Sequence, residues 1–326
     1  MSNYNLTFLS SLEATEECNG TCNGTGVLTN NSSGQNLNGY TVAVIIHWLF
    51  TFSICSFGLL GNGIVIWILG FHMKRNRFTT FILNLAVADF GVLLCLLIFS
   101  PIYILGIFTD VLWKLFNHLV LIFFNFFFFF IYSTSQFLLA AISIERCVSV
   151  LFPIWHRCHR PTHLSTTVCA LIWVISSLLF AIHFILRLTI WFNISYTLAY
   201  QCVANALLCL PLMAVSSLIL FIKVCFKSQK NQRRRLLRTI LLTLLLFLIF
   251  AFPLSAADFI YTFGIQSKLY GLLFDYSYMG AALNSSANPL IYFLVGRKWN
   301  SQSRVDMKSI LQRVFKEEEE TTESTV

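Results

Sequence analysis

Seven stretches of this chain are long enough and apolar enough to cross a lipid bilayer, and five of them carry no formal charge. The charge-free runs are 41–71, 115–144, 161–186, 188–222 and 239–257. Two more, 78–109 and 269–295, hold one acid each, Asp89 and Asp275. A helix crossing the hydrocarbon needs about 20 mostly apolar residues, and every backbone polar group within it must be satisfied internally. Membrane strands would be about 10 residues long and would alternate, which these runs do not. Composition agrees: 57% of the residues are hydrophobic, 11% are charged and 33 are Phe, against about 45–50% and about 25% for soluble domains. The expected fold is an all-α membrane protein, a bundle of seven transmembrane helices over 40–295. Only Arg187 interrupts the fourth and fifth runs, and polar residues near 186–196 supply the break between them.

The net charge of +8 reports topology and not an anionic partner such as nucleic acid. Nineteen of the 22 Lys and Arg fall between alternate spans or after the last one, leaving Lys114, Arg187 and Lys268 on the other side. The basic side is cytoplasmic by the positive-inside rule. The N-terminus is then extracellular and the C-terminus cytoplasmic, as in a multi-pass plasma-membrane protein. Residues 1–39 form a polar outer tail with glycosylation sequons at Asn5, Asn19, Asn23, Asn30 and Asn31, and a sixth stands at Asn193. No signal-peptide pattern opens the chain, so the first span is expected to direct insertion. Cys18 and Cys22 lie close enough in sequence to close a small outer loop, and Cys202 falls near the outer end of the fifth span.

At the other end, Met307, Ile310, Leu311, Val314 and Phe315 make one apolar stripe at helical spacing, flanked by Arg304, Lys308 and Arg313. That pattern predicts a juxtamembrane amphipathic helix over 296–316, flat on the membrane lipids of the inner leaflet. Residues 317–326 are read as a disordered cytoplasmic tail. Its Thr and Ser offer phosphorylation sites beside acids, and its last residues, Ser324, Thr325 and Val326, have the form of a PDZ-domain ligand.

Polar residues at mid-membrane are costly and therefore candidate functional groups. Asp89 lies about three helical turns into the second span. Its prospective partners are Asn62 in the first span, Ser135 in the third, and Asn284, Ser285 and Asn288 in the seventh. Asp89 alone fits a protonated acid bridging two helices. A cluster drawn from four helices points to a hydrated ion pocket. Pro211, Pro253 and Pro289 each remove a backbone donor from a span and should kink it. Kinks combined with buried polar groups suit a bundle with two packings of similar energy.

Gly61-Asn62, Asn84 with Asp89, Glu145-Arg146-Cys147, Trp173, Pro211, Pro253 and the run Asn288-Pro289-Leu290-Ile291-Tyr292 occur in this order on successive spans. Together they resemble the rhodopsin-like G-protein-coupled receptors, over about 40–315. More narrowly, AISIERCVSVLFPIWHRCHRP at 141–161 and NSSANPLIYFLVG at 284–296 resemble the Mas-related receptors, the subfamily named for Mas.

That resemblance implies roles. Glu145, Arg146 and Cys147 would stand where the receptor meets a heterotrimeric G protein. Arg146 would reach the Gα helix once the sixth span moves outward, and Glu145 would be its resting partner. Pro153 and Ile154 would press into Gα, and Tyr292 would hold the open form. Asp89, Ser135, Asn284, Ser285 and Asn288 would hold Na⁺ as an allosteric ion. Pro211, Phe247 and Pro253 would connect the ligand to the inner face. Arrestin and receptor kinases would be further partners.

Departures from the pattern matter too. Leu121 and Arg187 stand where outer disulfides would be anchored, and Ala251 stands where many receptors place a tryptophan. His183 and Ala199 replace an acid pair used by some Mas-related members. The extracellular ligand, a peptide or a small molecule, is expected among Asp110, His118, His183, Arg187, Asp258 and Asp275, a mouth of mixed charge.

The alternative is a small transporter or channel, but no internal repeat or matched pair of broken helices is present. An enzyme is not expected: there are no paired mid-membrane aspartates, no Ser–His dyad and no His-Glu-x-x-His. Arg233 occupies a position where many receptors carry an acid facing Arg146. Loss of that charge pair predicts agonist-free signalling above the level of mock-transfected cells at matched surface expression, measured by second-messenger assay; a level equal to mock contradicts it.

Overall fold

The computed structural model describes residues 39–73, 76–108, 119–190, 207–209, 211–216, 218–219, 222 and 268–296. Six helices account for nearly all of them: α1 (Gly39–Trp67), α2 (Arg77–Phe108), α3 (Leu119–Leu151), α4 (Pro153–Cys158), α5 (Leu164–Ile190) and α6 (Lys268–Gly296). A π-helical turn, Ile68–His72, prolongs α1. Helices α1, α2, α3, α5 and α6 correspond to the first, second, third, fourth and seventh runs of the sequence, and α4 lies in the second inner loop. A helical piece of the fifth run, Leu207–Ser216, carries Pro211.

Helices form because the apolar runs leave the backbone no other partner in hydrocarbon. Their ends have local causes. Asn76 caps α2: its Oδ1 accepts from Phe78 N at 3.1 Å and Thr79 N at 2.8 Å, while Thr79 Oγ1 accepts from Asn76 N at 2.8 Å. This reciprocal box satisfies donors that the first turn leaves orphaned. Helix α3 ends at Leu151 because Phe152 precedes Pro153 and is driven out of the helical region, to φ −124° and ψ 63°. Pro153 then opens α4 at a position where its missing N–H costs nothing.

Four helices are long and apolar enough to span a membrane by length and composition: Thr41–His72, Arg77–Leu105, Phe126–Leu151 and Leu164–Ile182. They are not equally enclosed. The third is 72% buried over its apolar window, against 28% for the first and 17% for the fourth. α3 is therefore the axis. α2 packs against α1, α3, α5 and α6, and α1 packs against α6. The outward faces of α1 and α5 stay apolar, with Phe57, Leu60, Phe71, Leu171 and Leu178 exposed, as lipid-facing positions require. α6 brings polar side chains into the bundle, where Ser277, Asn284, Ser285 and Asn288 are all buried.

α1 and α6 approach closely because α1 lacks side chains where they meet. A Cβ on Gly58 would collide with the Ser286 side chain, and one on Gly61 would lie 3.1 Å from Pro289 Cβ. The Ser286 hydroxyl donates to Ile54 O at 3.3 Å across the same seam. Pro101 interrupts the donors of α2, a break that the sequence reading did not single out, and Ser100 Oγ bonds Leu96 O beside it. Gly58→Val is expected to destabilise the folded protein by about 1–3 kcal/mol through overpacking, read as a lower thermal midpoint of purified protein; Gly39→Val, in open space, serves as the matched control.

Candidate functional site

The polar side chains anticipated at mid-membrane do converge. Asp89 is fully buried on α2. Ser135 Oγ, from α3, donates to its Oδ1 at 2.7 Å, and Asn288 Nδ2, from α6, donates to its Oδ2 at 2.7 Å. The Ser285 hydroxyl faces the same carboxylate outside hydrogen-bond geometry. Among the described residues no basic side chain pairs with Asp89. Two short hydrogen bonds to one carboxylate thus join three helices at the centre of the bundle.

Asn62 explains how α6 tolerates its proline. Pro289 lacks the N–H that would have bonded the carbonyl four residues earlier, that of Ser285. Asn62 Nδ2 takes that carbonyl at 3.1 Å and its own Gly58 O at 3.0 Å. The freed acceptor is satisfied by a neighbouring helix. Asn62 Oδ1, Asn284 Nδ2 and Ser285 Oγ remain buried without hydrogen bonds. A similar tie joins α5 to α2, where Trp173 Nε1 donates to Asn84 Oδ1 at 3.1 Å.

The inner end of α3 differs from expectation. Glu145 and Arg146 are neighbours on a helix and project about 100° apart. Glu145 Oε1 is bonded by His156 Nε2 and Arg160 Nη2, each at 2.8 Å. The acid expected to pair with Arg146 is also bonded to the second inner loop, while its charge still acts on Arg146. Arg160 also donates to Ser165 Oγ at 2.8 Å, and Arg77 Nη1 donates to His156 O at 3.1 Å. The ends of α2, α3, α4 and α5 are thereby fastened together. His156, Arg160 and Arg77 were missed by the sequence reading because basic residues there look like topological bias alone.

Arg146 is buried, with its guanidinium carbon 3.3 Å from the centroid of the Phe78 ring. Cys147 and Tyr292 are buried nearby, and Tyr292 lies close enough to feel the charges of both Arg146 and Asp89. Pro153 and Ile154 are exposed on the first turn of α4, Ile154 by 76%.

Toward the outer end, aromatic rings close the bundle. Trp48 is buried against Phe99, Tyr103 and Tyr278, with ring centroids at 5.4, 4.8 and 6.1 Å. Phe128 meets Tyr278 at 5.2 Å and stacks on Tyr132 at 5.7 Å. A small apolar cavity lies here, lined by Cys95, Leu96, Phe99, Phe124, Phe128 and Tyr278. Sequence reasoning missed these residues, since among 33 Phe an aromatic at helical spacing carries no distinguishing signal.

His183 and Arg187 fall on α5 and Asp275 on α6, with their side chains outside the described residues. Asp110, His118, Asp258, Phe247, Pro253, the six sequons and Ser324–Val326 also lie outside the described residues. Pro211 is exposed.

Residues 61–292 match the 7 transmembrane receptor (rhodopsin family) pattern. The chain is 37% identical over 280 residues to the proto-oncogene Mas of Mus musculus, covering 84% of each protein. It is 36% identical over 299 residues to Mas of Homo sapiens, covering 89% of this chain and 90% of the relative. It is 38% identical over 270 residues to the Mas-related G-protein coupled receptor member H of Rattus norvegicus, covering 81% of each. The chain belongs to the Mas-related G-protein-coupled receptors of the rhodopsin family.

It is accordingly a multi-pass membrane receptor and not an enzyme. Asn62→Leu should leave the Ser285 carbonyl buried without its partner and cost about 1–3 kcal/mol. Thermal unfolding of the purified receptor measures this, and an unchanged midpoint contradicts it.

Proposed function

We propose that this receptor resides in the plasma membrane with its glycosylated tail outside and activates heterotrimeric G proteins. A ligand at the outer mouth, a peptide by preference given the mixed charge there, favours a packing in which the sixth span tilts outward. Arg146 then meets Gα, with Pro153 and Ile154 beside it. The mechanism is a population shift: the ligand drives activation only by binding the open packing more tightly. The observation that carries this reading is the inner face. A buried arginine on the most enclosed helix stands next to an exposed apolar turn fixed by four helix ends.

The mid-membrane cluster supports a hard monovalent cation of the resting state. Such an ion prefers oxygen donors. Asp89 supplies the charge, Ser135 and Ser285 supply hydroxyls, and the unspent Ser285 Oγ and Asn62 Oδ1 suit that chemistry. Na⁺ would supply charge compensation there; the side chains themselves hold α2, α3 and α6 together. After activation, receptor kinases and arrestin act on the phosphorylatable tail. Val326 binds a PDZ domain, and the amphipathic 296–316 segment holds to inner-leaflet lipid.

Arg146→Ala should reduce agonist-free nucleotide exchange on a panel of Gα proteins to the level of mock membranes. Raising NaCl against equal choline chloride should lower exchange by wild type and leave Asp89→Asn unresponsive. Full exchange by Arg146→Ala overturns the coupling role, and an equal sodium response in Asp89→Asn overturns the ion site.

A further inference from the structure

Glu145 contributes a favourable charge to Arg146 but spends its carboxylate hydrogen bonds on other groups. The Glu145 carboxylate is taken by His156 and Arg160. At the inner end of the sixth run, Arg233 stands where an acid would be. Yet Arg146 is only 4% exposed, and a guanidinium removed from water requires compensation. The ring of Phe78, itself 8% exposed, lies 3.3 Å from its carbon. An aromatic face attracts a cation electrostatically, more strongly when both are desolvated, and the planar guanidinium stacks on it well.

The ring is held in place. Phe78 occupies the first turn of α2, and its own backbone N–H is one of the two that Asn76 caps. The adjacent Arg77 is bonded to the loop that Glu145 holds. Phe78 therefore cannot follow Arg146 without unwinding the start of α2. Arg146 must leave the ring to project from the inner face.

We propose that Phe78 is a positioning residue for G-protein coupling: its ring face seats Arg146 in the resting receptor, and the strength of that cation–π contact sets how readily Arg146 is released to Gα. This rests on the reading that Arg146 is the group presented to the G protein. The contact biases the resting packing in the manner of the acid that the sixth span lacks.

The experiment separates electrostatics from packing. Full-length receptor carrying mono-, di- and trifluorinated phenylalanine at position 78 is produced by nonsense suppression, because fluorine weakens the ring quadrupole with little change of shape. Agonist-free nucleotide exchange at matched surface expression should rise stepwise with fluorination. Phe78→Leu should raise it about threefold or more, and Phe78→Tyr should stay near wild type. A flat series with an altered Leu variant reduces Phe78 to packing and overturns the proposal, as does a Leu variant equal to wild type.

Two controls keep the outcomes distinct. In an Arg146→Ala background the fluorinated series should be flat and silent. If Arg146→Ala itself exchanges normally, the coupling reading falls, and the seat is then judged by ¹⁹F NMR. The resonance of 4-fluorophenylalanine at position 78 in purified receptor should move when Arg146 is changed to Gln. An unmoved resonance overturns the seat regardless of signalling.

Discussion

A carboxylate enclosed in a bilayer has no water to bond, so its hydrogen-bond donors must come from the protein. Asp89 imposes that demand, and much of the bundle is arranged to meet it. Ser135 comes from the central helix and Asn288 from the last span, each contributing a 2.7 Å hydrogen bond. A charged or proton-sharing group is expensive to leave unpaired in hydrocarbon. The two bonds therefore fix the rotation of α3 and α6 relative to α2, along with their distance. Apolar packing around them tolerates sliding, whereas these contacts are directional and set the register.

The proline of α6 shows the same economy at the level of the backbone. Pro289 opens a hole in the helical ladder at Ser285 O, and Asn62 fills it from α1. Two elements that look separate in sequence, a glycine–asparagine pair and an asparagine–proline pair, are halves of one contact. At the inner face the logic is ionic. Glu145 gathers His156 and Arg160, and Arg77 bonds the loop backbone. A loop that would otherwise be tethered only at its ends becomes part of the rigid body, with Pro153 and Ile154 displayed on it.

The amino-acid order made some of this readable and hid the rest for physical reasons. Apolar run length dictates spans, so the helices were legible, and the pairing of Asp89 with Ser135 and Asn288 followed from the scarcity of polar residues at that depth. The partner of Glu145 was not legible. Adjacent sequence and family likeness both favour Arg146, but side chains one residue apart diverge around a helix, and the loop returns two cations to the same place. The seat beneath Arg146 was hidden for another reason: one phenylalanine among 33 is marked only by geometry. The cap at Asn76 had a sequence signal, an Asn followed three residues later by Thr79, though it does not disclose that the capped turn carries that ring.

The glycine seam has a further bearing on how such a bundle moves. Gly58 and Gly61 bring α1 against Ser286 and Pro289, and Asn62 and Ser286 stitch backbone to side chain across it in both directions. Two rods so joined travel as one. Any displacement of α6 would carry α1 along as its passenger, with its exposed Phe57 and Leu60 flank sweeping the surrounding acyl chains. The viscosity and thickness of the host bilayer would then act as a drag on the receptor, felt through α1.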